Sequence, residues 1–254
     1  MEFSLFGTFI PYYGLCIATG VVCAFSLGVF LCKKSGLCTD NFLLICAYLY
    51  AFGFAGAKLL YIIVSFKDID FQAVFHDTKS FNNFLGSGFV FYGGIIGGFL
   101  AILFVQKFHK IQMDSYIRIL APCTSLGHAF GRIGCSLAGC CYGKETSCRV
   151  FYRYTDSIVA PNEVNLFPVQ GVESLCLFCL TLILVRLYLK NHACRVHLVY
   201  IVTYAVIRFV LEIFRGDAGR GGFLFLSTSQ IISIVLLAGL SLFHRKHIKT
   251  FHLA

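Results

Sequence analysis

Arg132 stands in the run Gly131-Arg132-Ile133-Gly134-Cys135-Ser136-Leu137-Ala138-Gly139-Cys140-Cys141-Tyr142-Gly143, within a stretch that is otherwise apolar. A charged side chain at bilayer depth costs roughly 2.5–3.5 kcal/mol on insertion scales, so it persists where it has a partner, a wet cavity or an anionic ligand. Further along, Arg208, Glu212 and Arg215 stand at i, i+4 and i+7, a spacing that puts all three on one helix face. A self-neutralised Arg208–Glu212 ion pair is the plain reading of that face. Adding Arg132 leaves positive charge in excess, which an anion such as a lipid phosphate would balance, since the planar fork of arginine suits phosphate bidentately.

Other polar residues interrupt apolar stretches: Tyr12, Tyr13, Lys58, Tyr92, His128, Gln170 and Glu173. His128 is one helical turn before Arg132, as a packing residue or as a participant in the chemistry. Gly93-Gly94-Ile95-Ile96-Gly97-Gly98 repeats glycine every fourth residue, the pattern of closely packed membrane helices; direct ligand contact is the alternative. Of the 13 cysteines, Cys16, Cys23, Cys46, Cys176 and Cys179 lie in apolar runs and read as small hydrophobes. Cys135, Cys140, Cys141 and Cys148 form a group with three readings: packing, an outer-face disulfide from Cys148 to Cys140 or Cys141, or a reactive thiol or metal site. No Cys/His spacing fits a zinc finger or a haem site, and neither a metal nor a cofactor is expected.

The elements that position these residues are membrane helices. The chain has 254 residues, 58% hydrophobic and 13% charged, with a mean hydropathy of +0.80; a soluble domain carries about 25% charged residues. Apolar runs predict an all-α integral membrane protein, one domain over 1–254, with seven spans near 9–31, 41–65, 87–107, 115–139, 170–189, 196–215 and 223–243. The segment 66–86 suits a short interfacial helix. Met1 to Ile10 lacks a basic n-region, so no cleaved secretory signal is expected. The net charge of +9 is scattered through short loops and argues for topology signals rather than nucleic acid. Lys33, Lys34, Lys107, Lys110, Arg186, Lys190, Arg195, Arg245, Lys246 and Lys249 fall on one side; Lys67, Lys79, Lys144, Arg149, Arg153, Arg215 and Arg220 fall on the other, mostly in longer loops. That bias predicts the N-terminus outside and the C-terminus in the cytoplasm. The embedded polar residues then lie at one depth, beneath the outer surface. No clear internal repeat supports an inverted-repeat transporter.

Several ordered segments resemble the prolipoprotein diacylglyceryl transferase family. Gly131-Arg132-Ile133-Gly134 through Tyr142-Gly143 is similar to the family signature. Tyr12-Tyr13-Gly14-Leu15, Gly56-Ala57-Lys58-Leu59, Phe91-Tyr92-Gly93-Gly94, Pro168-Val169-Gln170 to Glu173, Arg208-Phe209 to Arg215, and Ser229-Gln230 match further family segments. The resemblance implies a seven-span, multi-pass enzyme of the bacterial inner membrane. It would transfer the diacylglyceryl group of phosphatidylglycerol to the lipobox cysteine thiol of a prolipoprotein signal peptide, releasing glycerol phosphate. Its partners would be those two substrates and the surrounding membrane lipids.

Carried onto this chain, the resemblance makes Arg132, Arg208, Tyr13, Glu212 and Tyr92 the catalytic set. Substrate binding falls to Arg132, Arg208, Arg215, Gly93, Gly94, Gly143, Lys58, Gln170 and Glu173. Arg132 and Arg208 would take the phosphate, Glu212 would orient Arg208, Arg215 would help near the mouth, and Tyr13 would hydrogen-bond the headgroup or the substrate. The chain departs from the family at Tyr92, where histidine is usual, at Lys58 for arginine, and at Cys135, Ala138 and Cys140 in place of two asparagines and a glutamate. Those departures leave open a related lipid transferase with another acceptor or headgroup, and a non-catalytic protein that binds or transports anionic lipid.

Overall fold

The computed structural model describes residues 2–5, 8–191, 195–217, 222–223 and 226–251, with the side chains of 2–11, 222–226 and 241–251 left aside. Arg220 lies outside the described residues, as do the side chains of Arg245, Lys246 and Lys249.

Each apolar run forms a helix. These are α1 (Tyr12–Ser35), α2 (Thr39–Val64), α5 (Phe91–Phe108), α6 (Met113–Ala138), α7 (Val169–Lys190), α8 (Val196–Glu212) and α9 (Thr228–Phe251). Among the described residues, α1, α2, α5 and α7 are long and apolar enough to cross a membrane. The protein is a mostly helical, multi-pass membrane protein. The segment 66–86 forms two short helices rather than one, α3 (Phe71–His76) and α4 (Thr78–Gly86). The reason is two aspartate caps. Asp70 accepts from Ala73 N at 3.0 Å, and Asp77 accepts from Ser80 N at 2.9 Å and Ser80 Oγ at 2.8 Å. Those bonds hold the Asp77 carboxyl below its ordinary pKa, with the Ser80 hydroxyl the largest cause. Among the described residues the strands are short: β1 (Glu2–Leu5), β2 (Thr8–Pro11), β3 (Tyr152–Arg153), β4 (Asn165–Leu166), β5 (Gly222–Phe223) and β6 (Leu226–Ser227), paired as three antiparallel ribbons.

The chain divides into two compact units, Met1–Leu31 with Ile117–Ala254, and Cys32–Tyr116. The second is organised by α2 against α5. A Cβ at Gly56 would land on the carbonyl of Gly93, one at Gly93 on the carbonyl of Gly56, and one at Gly97 on the carbonyl of Phe52. The glycines therefore let two backbones touch, the packing expected of small residues every fourth position. Gly94, by contrast, meets nothing closer than 3.6 Å.

In the first unit, α6 and α7 are joined by reciprocal serine bonds. Ser125 Oγ donates to the Leu177 carbonyl at 3.0 Å, and Ser174 Oγ donates to the Ala129 carbonyl at 2.9 Å. Both serines are buried. Hydrogen bonds of this kind hold helices together where lipid supplies no hydrophobic contrast. They fix the register of the two helices that carry Arg132 and Glu173.

Candidate active site

Glu173 opens the second turn of α7 and is fully buried. Its Oε1 lies 3.0 Å from Arg132 Nη2 of α6 and accepts from the Tyr204 hydroxyl of α8 at 3.1 Å. Its Oε2 lies 3.6 Å from Arg208 Nη1, close enough to attract and too far for a hydrogen bond. His128 Nε2 is 4.0 Å from Oε1, and its ring meets the Tyr204 ring edge-on at 5.0 Å. One carboxylate on α7 thus gathers groups from two other helices, α6 and α8.

Arg208 is held on three sides. Its Nη2 pairs with Glu212 Oε2 at 2.7 Å and donates to Ser229 Oγ, at the start of α9, at 3.1 Å. The Arg208–Glu212 pair is the i, i+4 contact that the spacing predicts. Arg215 is different. The α8 helix ends at Glu212, so Arg215 does not continue its face. It lies in extended chain bridged to Gly143, donates through Nε and Nη2 to both carboxylate oxygens of Asp217 at 2.9 and 2.7 Å, and stays 3.8 Å from Glu212. The helix gives way because the chain pairs with the end of the signature segment instead: Lys144 N donates to the Phe214 carbonyl at 2.8 Å and Gly216 N to the Tyr142 carbonyl at 3.0 Å.

Those contacts correct the expected charge surplus. Three guanidiniums, Arg132, Arg208 and Arg215, face three carboxylates, Glu173, Glu212 and Asp217. Glu173 is a buried counter-ion and not simply a polar residue opening a span. Yet the neutralisation is incomplete in geometry. Arg132 Nε, Arg208 Nη1 and Arg215 Nη1 are buried donors with no hydrogen-bond acceptor among the described residues. A buried donor left unmade costs about 1–3 kcal/mol, more when charged. Three such donors on neighbouring cations suit a ligand rich in anionic oxygen.

The loop after α6 is tied over the ends of α6 and α7. Gln170 Nε2 donates to the Cys140 carbonyl at 2.9 Å, and the Tyr154 hydroxyl donates to the Ser136 carbonyl at 2.8 Å. Burial, with Tyr152 next in effect, pushes the Tyr154 hydroxyl up to about 12, so it stays a donor. A Cβ at Gly143 would collide with the Phe167 carbonyl, so this glycine permits close backbone contact there. Tyr13 packs on Gly134, where a Cβ would come within 3.1 Å of its ring; its side chain is 44% exposed. Cys148 is an exposed thiol, not bridged to Cys140 or Cys141.

In the second unit, Lys58 Nζ donates to the carbonyls of Phe84 and Ser87, the latter at 2.8 Å, and stands 3.9 Å over the Phe84 ring. Its charge is thus held by the turn after α4. Tyr92, on the first turn of α5, is 47% exposed, and Gly93 is buried against α2. Tyr204 and Asp217 escape a reading of the sequence. Tyr204 is one turn before Arg208 on α8, a signal available in the spacing; Asp217 lies beyond the helix, where no periodicity points to it.

The family model described as prolipoprotein diacylglyceryl transferase matches residues 1–244. A phosphatidylglycerol–prolipoprotein diacylglyceryl transferase of Clostridium tetani (strain Massachusetts / E88) is 37% identical over 95% of this chain and 95% of its own length. A second enzyme of that name from Clostridium perfringens (strain 13 / Type A) is 36% identical over 93% of this chain and 90% of its length. One from Dehalococcoides mccartyi (strain ATCC BAA-2100) is 27% identical over 94% and 89%.

Proposed function

The chain belongs to the prolipoprotein diacylglyceryl transferase family, and from that premise we propose that it transfers the diacylglyceryl group of phosphatidylglycerol to the lipobox cysteine of a prolipoprotein. The sulfur attacks the glycerol carbon that bears the phosphate. A carbon–sulfur bond forms, the carbon–oxygen bond breaks, and glycerol phosphate departs with the electron pair; the thiol proton passes to solvent or to the departing phosphate. The thiolate is the nucleophile, and the charge that develops on the leaving phosphate needs fixed cations.

The observation that carries this reading is the set of buried donors Arg132 Nε, Arg208 Nη1 and Arg215 Nη1, which meet no hydrogen-bond acceptor among the described residues. Arg132 and Arg208 take the phosphate oxygens, Glu173 and Glu212 hold the two guanidiniums in place, and Arg215 lines the mouth. Tyr13, half exposed beside Gly134, bonds the headgroup. Gln170 and Gly143 act by holding the signature loop. Tyr92, Gly93, Gly94 and Lys58 remain proposed lipid contacts on the strength of the family motifs they occupy. We further propose one membrane domain of seven spans, α1, α2 and α5–α9, in the bacterial inner membrane, with the N-terminus outside.

Complementation of a strain depleted of its own diacylglyceryl transferase tests the reading. The wild-type chain is expected to restore growth and to shift a lipoprotein precursor labelled from phosphatidylglycerol; Arg132→Ala and Arg208→Ala are expected not to. An inserted wild-type protein that yields no labelled precursor overturns the proposal.

A further inference from the structure

Three thiols converge where α6 ends. The sulfurs of Cys135, Cys140 and Cys141 all lie within 4.8 Å of one another, and each side chain is a partly buried thiol. The backbone is shaped to bring them together. Gly139 turns the chain out of the helix at φ +70°, Cys140 N donates back to the Cys135 carbonyl at 3.2 Å, and Cys141 takes φ +60°, a left-handed conformation uncommon outside glycine. The buried Gln170 clamps the Cys140 carbonyl from α7. Cys148, the fourth cysteine of this region, is outside the group.

We propose that Cys135, Cys140 and Cys141 form a three-thiolate site for a soft metal ion, zinc(II) or copper(I). A metal–sulfur bond of about 2.3 Å sets three ligand sulfurs roughly 3.8–4.0 Å apart, a separation that small side-chain rotations reach from the present arrangement. Thiolate ligands select copper(I) and zinc over hard cations. Binding forms three metal–sulfur bonds and releases three thiol protons to water. The complex is anionic, with charge −1 for zinc(II) and −2 for copper(I). Arg132 is in electrostatic reach of Cys135 and Cys141, and Arg215 of Cys141, so the cations beside the site favour the tris-thiolate complex. The site occupies two of the positions at which this chain departs from its family's polar residues.

The test uses the full-length protein, reduced and purified in detergent, titrated separately with zinc(II), with copper(I), and with cadmium(II) as a spectroscopic stand-in. One equivalent is expected to bind, with sulfur-to-cadmium charge-transfer absorption. Zinc and copper titrations against a competing chelator decide which of the two ions is held more tightly. Cys135→Ser and Cys140→Ser are expected to weaken binding by about 100-fold or more, above the 10- to 100-fold that changes around a metal site's outer shell cost. Cys148→Ser is expected to bind as wild type. X-ray absorption at the metal edge of the unmutated protein is expected to count three sulfurs, which keeps the test independent of how the variants fold. Binding unchanged in Cys140→Ser, fewer than three sulfurs at the metal, or no stoichiometric binding overturns the proposal.

Discussion

Glu173 Oε1 stands 3.0 Å from Arg132 Nη2, and the carboxylate has no exposed surface. Its other oxygen faces Arg208, so one buried anion holds two buried cations in place. Such an arrangement is costly to break from one side, because an uncompensated charge stays in a low-dielectric site; removing one partner of a buried pair costs about 3–5 kcal/mol. Glu173→Ala is therefore expected to lower thermal stability in detergent sharply. Glu173→Gln keeps an acceptor for Tyr204 and is expected to lose less. Unfolding midpoints of the two purified variants check this, and equal stability of Glu173→Ala and wild type would refute it.

Tyr204 donates its hydroxyl to the same Glu173 oxygen at 3.1 Å and stacks its ring on Tyr200 at 6.0 Å. A hydrogen bond to a charged group contributes about 1.5–3 kcal/mol. Tyr204→Phe keeps the ring and deletes the bond. It is expected to destabilise by an amount near the lower end of that range, and to slow transfer because Glu173 no longer holds the arginines as firmly. The cycle of wild type, Tyr204→Phe, Glu173→Ala and the double variant separates the shared contact from independent effects, because each single substitution removes it.

The helices were legible because apolar runs of about 20 residues leave few alternatives: a helix stands over each run, α9 starting five residues late and ending eight residues late, and among the described residues α1, α2, α5 and α7 are long and apolar enough to cross a membrane. Arg208 and Glu212 were legible because i, i+4 spacing fixes their meeting. What stayed hidden follows from contacts between distant segments. Nothing in the spacing of Glu173 shows that it neutralises Arg132, forty-one positions earlier. Nothing near Arg215 shows that the chain leaves the helix to pair with Lys144. The same limit applies to the cysteines. Positions 135, 140 and 141 match no metal motif, and only the turns at Gly139 and Cys141 bring their sulfurs together.

Gly93 and Gly94 are neighbours with opposite tolerances. A Cβ at Gly93 collides with the Gly56 carbonyl, whereas one at Gly94 meets only ordinary contact, the nearest atom being the Gly53 carbonyl at 3.6 Å. Backbone cannot move aside as a side chain does, so Gly93→Ala must separate α2 from α5. It is expected to destabilise by about 1–3 kcal/mol, the usual cost of overpacking. Gly94→Ala is expected to be neutral or slightly stabilising, since alanine favours helix over glycine by up to about 1 kcal/mol. Thermal unfolding of the two single variants decides it. If both behave alike, the backbone contact does not set this packing.

Arg208 offers the sharpest separation of a phosphate role from a purely structural one. Its Nη2 is committed to Glu212 and Ser229, while Nη1 faces Glu173 at 3.6 Å without a bond and is the donor left for a ligand. Lysine at this position keeps the charge and can hold Glu212, but it lacks the fork that reaches a second acceptor. Arg208→Lys is expected to retain most of the stability and to lose most of the transfer rate. Arg208→Ala is expected to lose both, with transfer falling by about 10²–10³-fold, the range seen when a fixed donor to a developing anion is removed. Initial rates with labelled phosphatidylglycerol, read beside unfolding midpoints, distinguish the cases. Were stability and transfer to fall in step in Arg208→Lys, the guanidinium would be holding the helices together and not the phosphate.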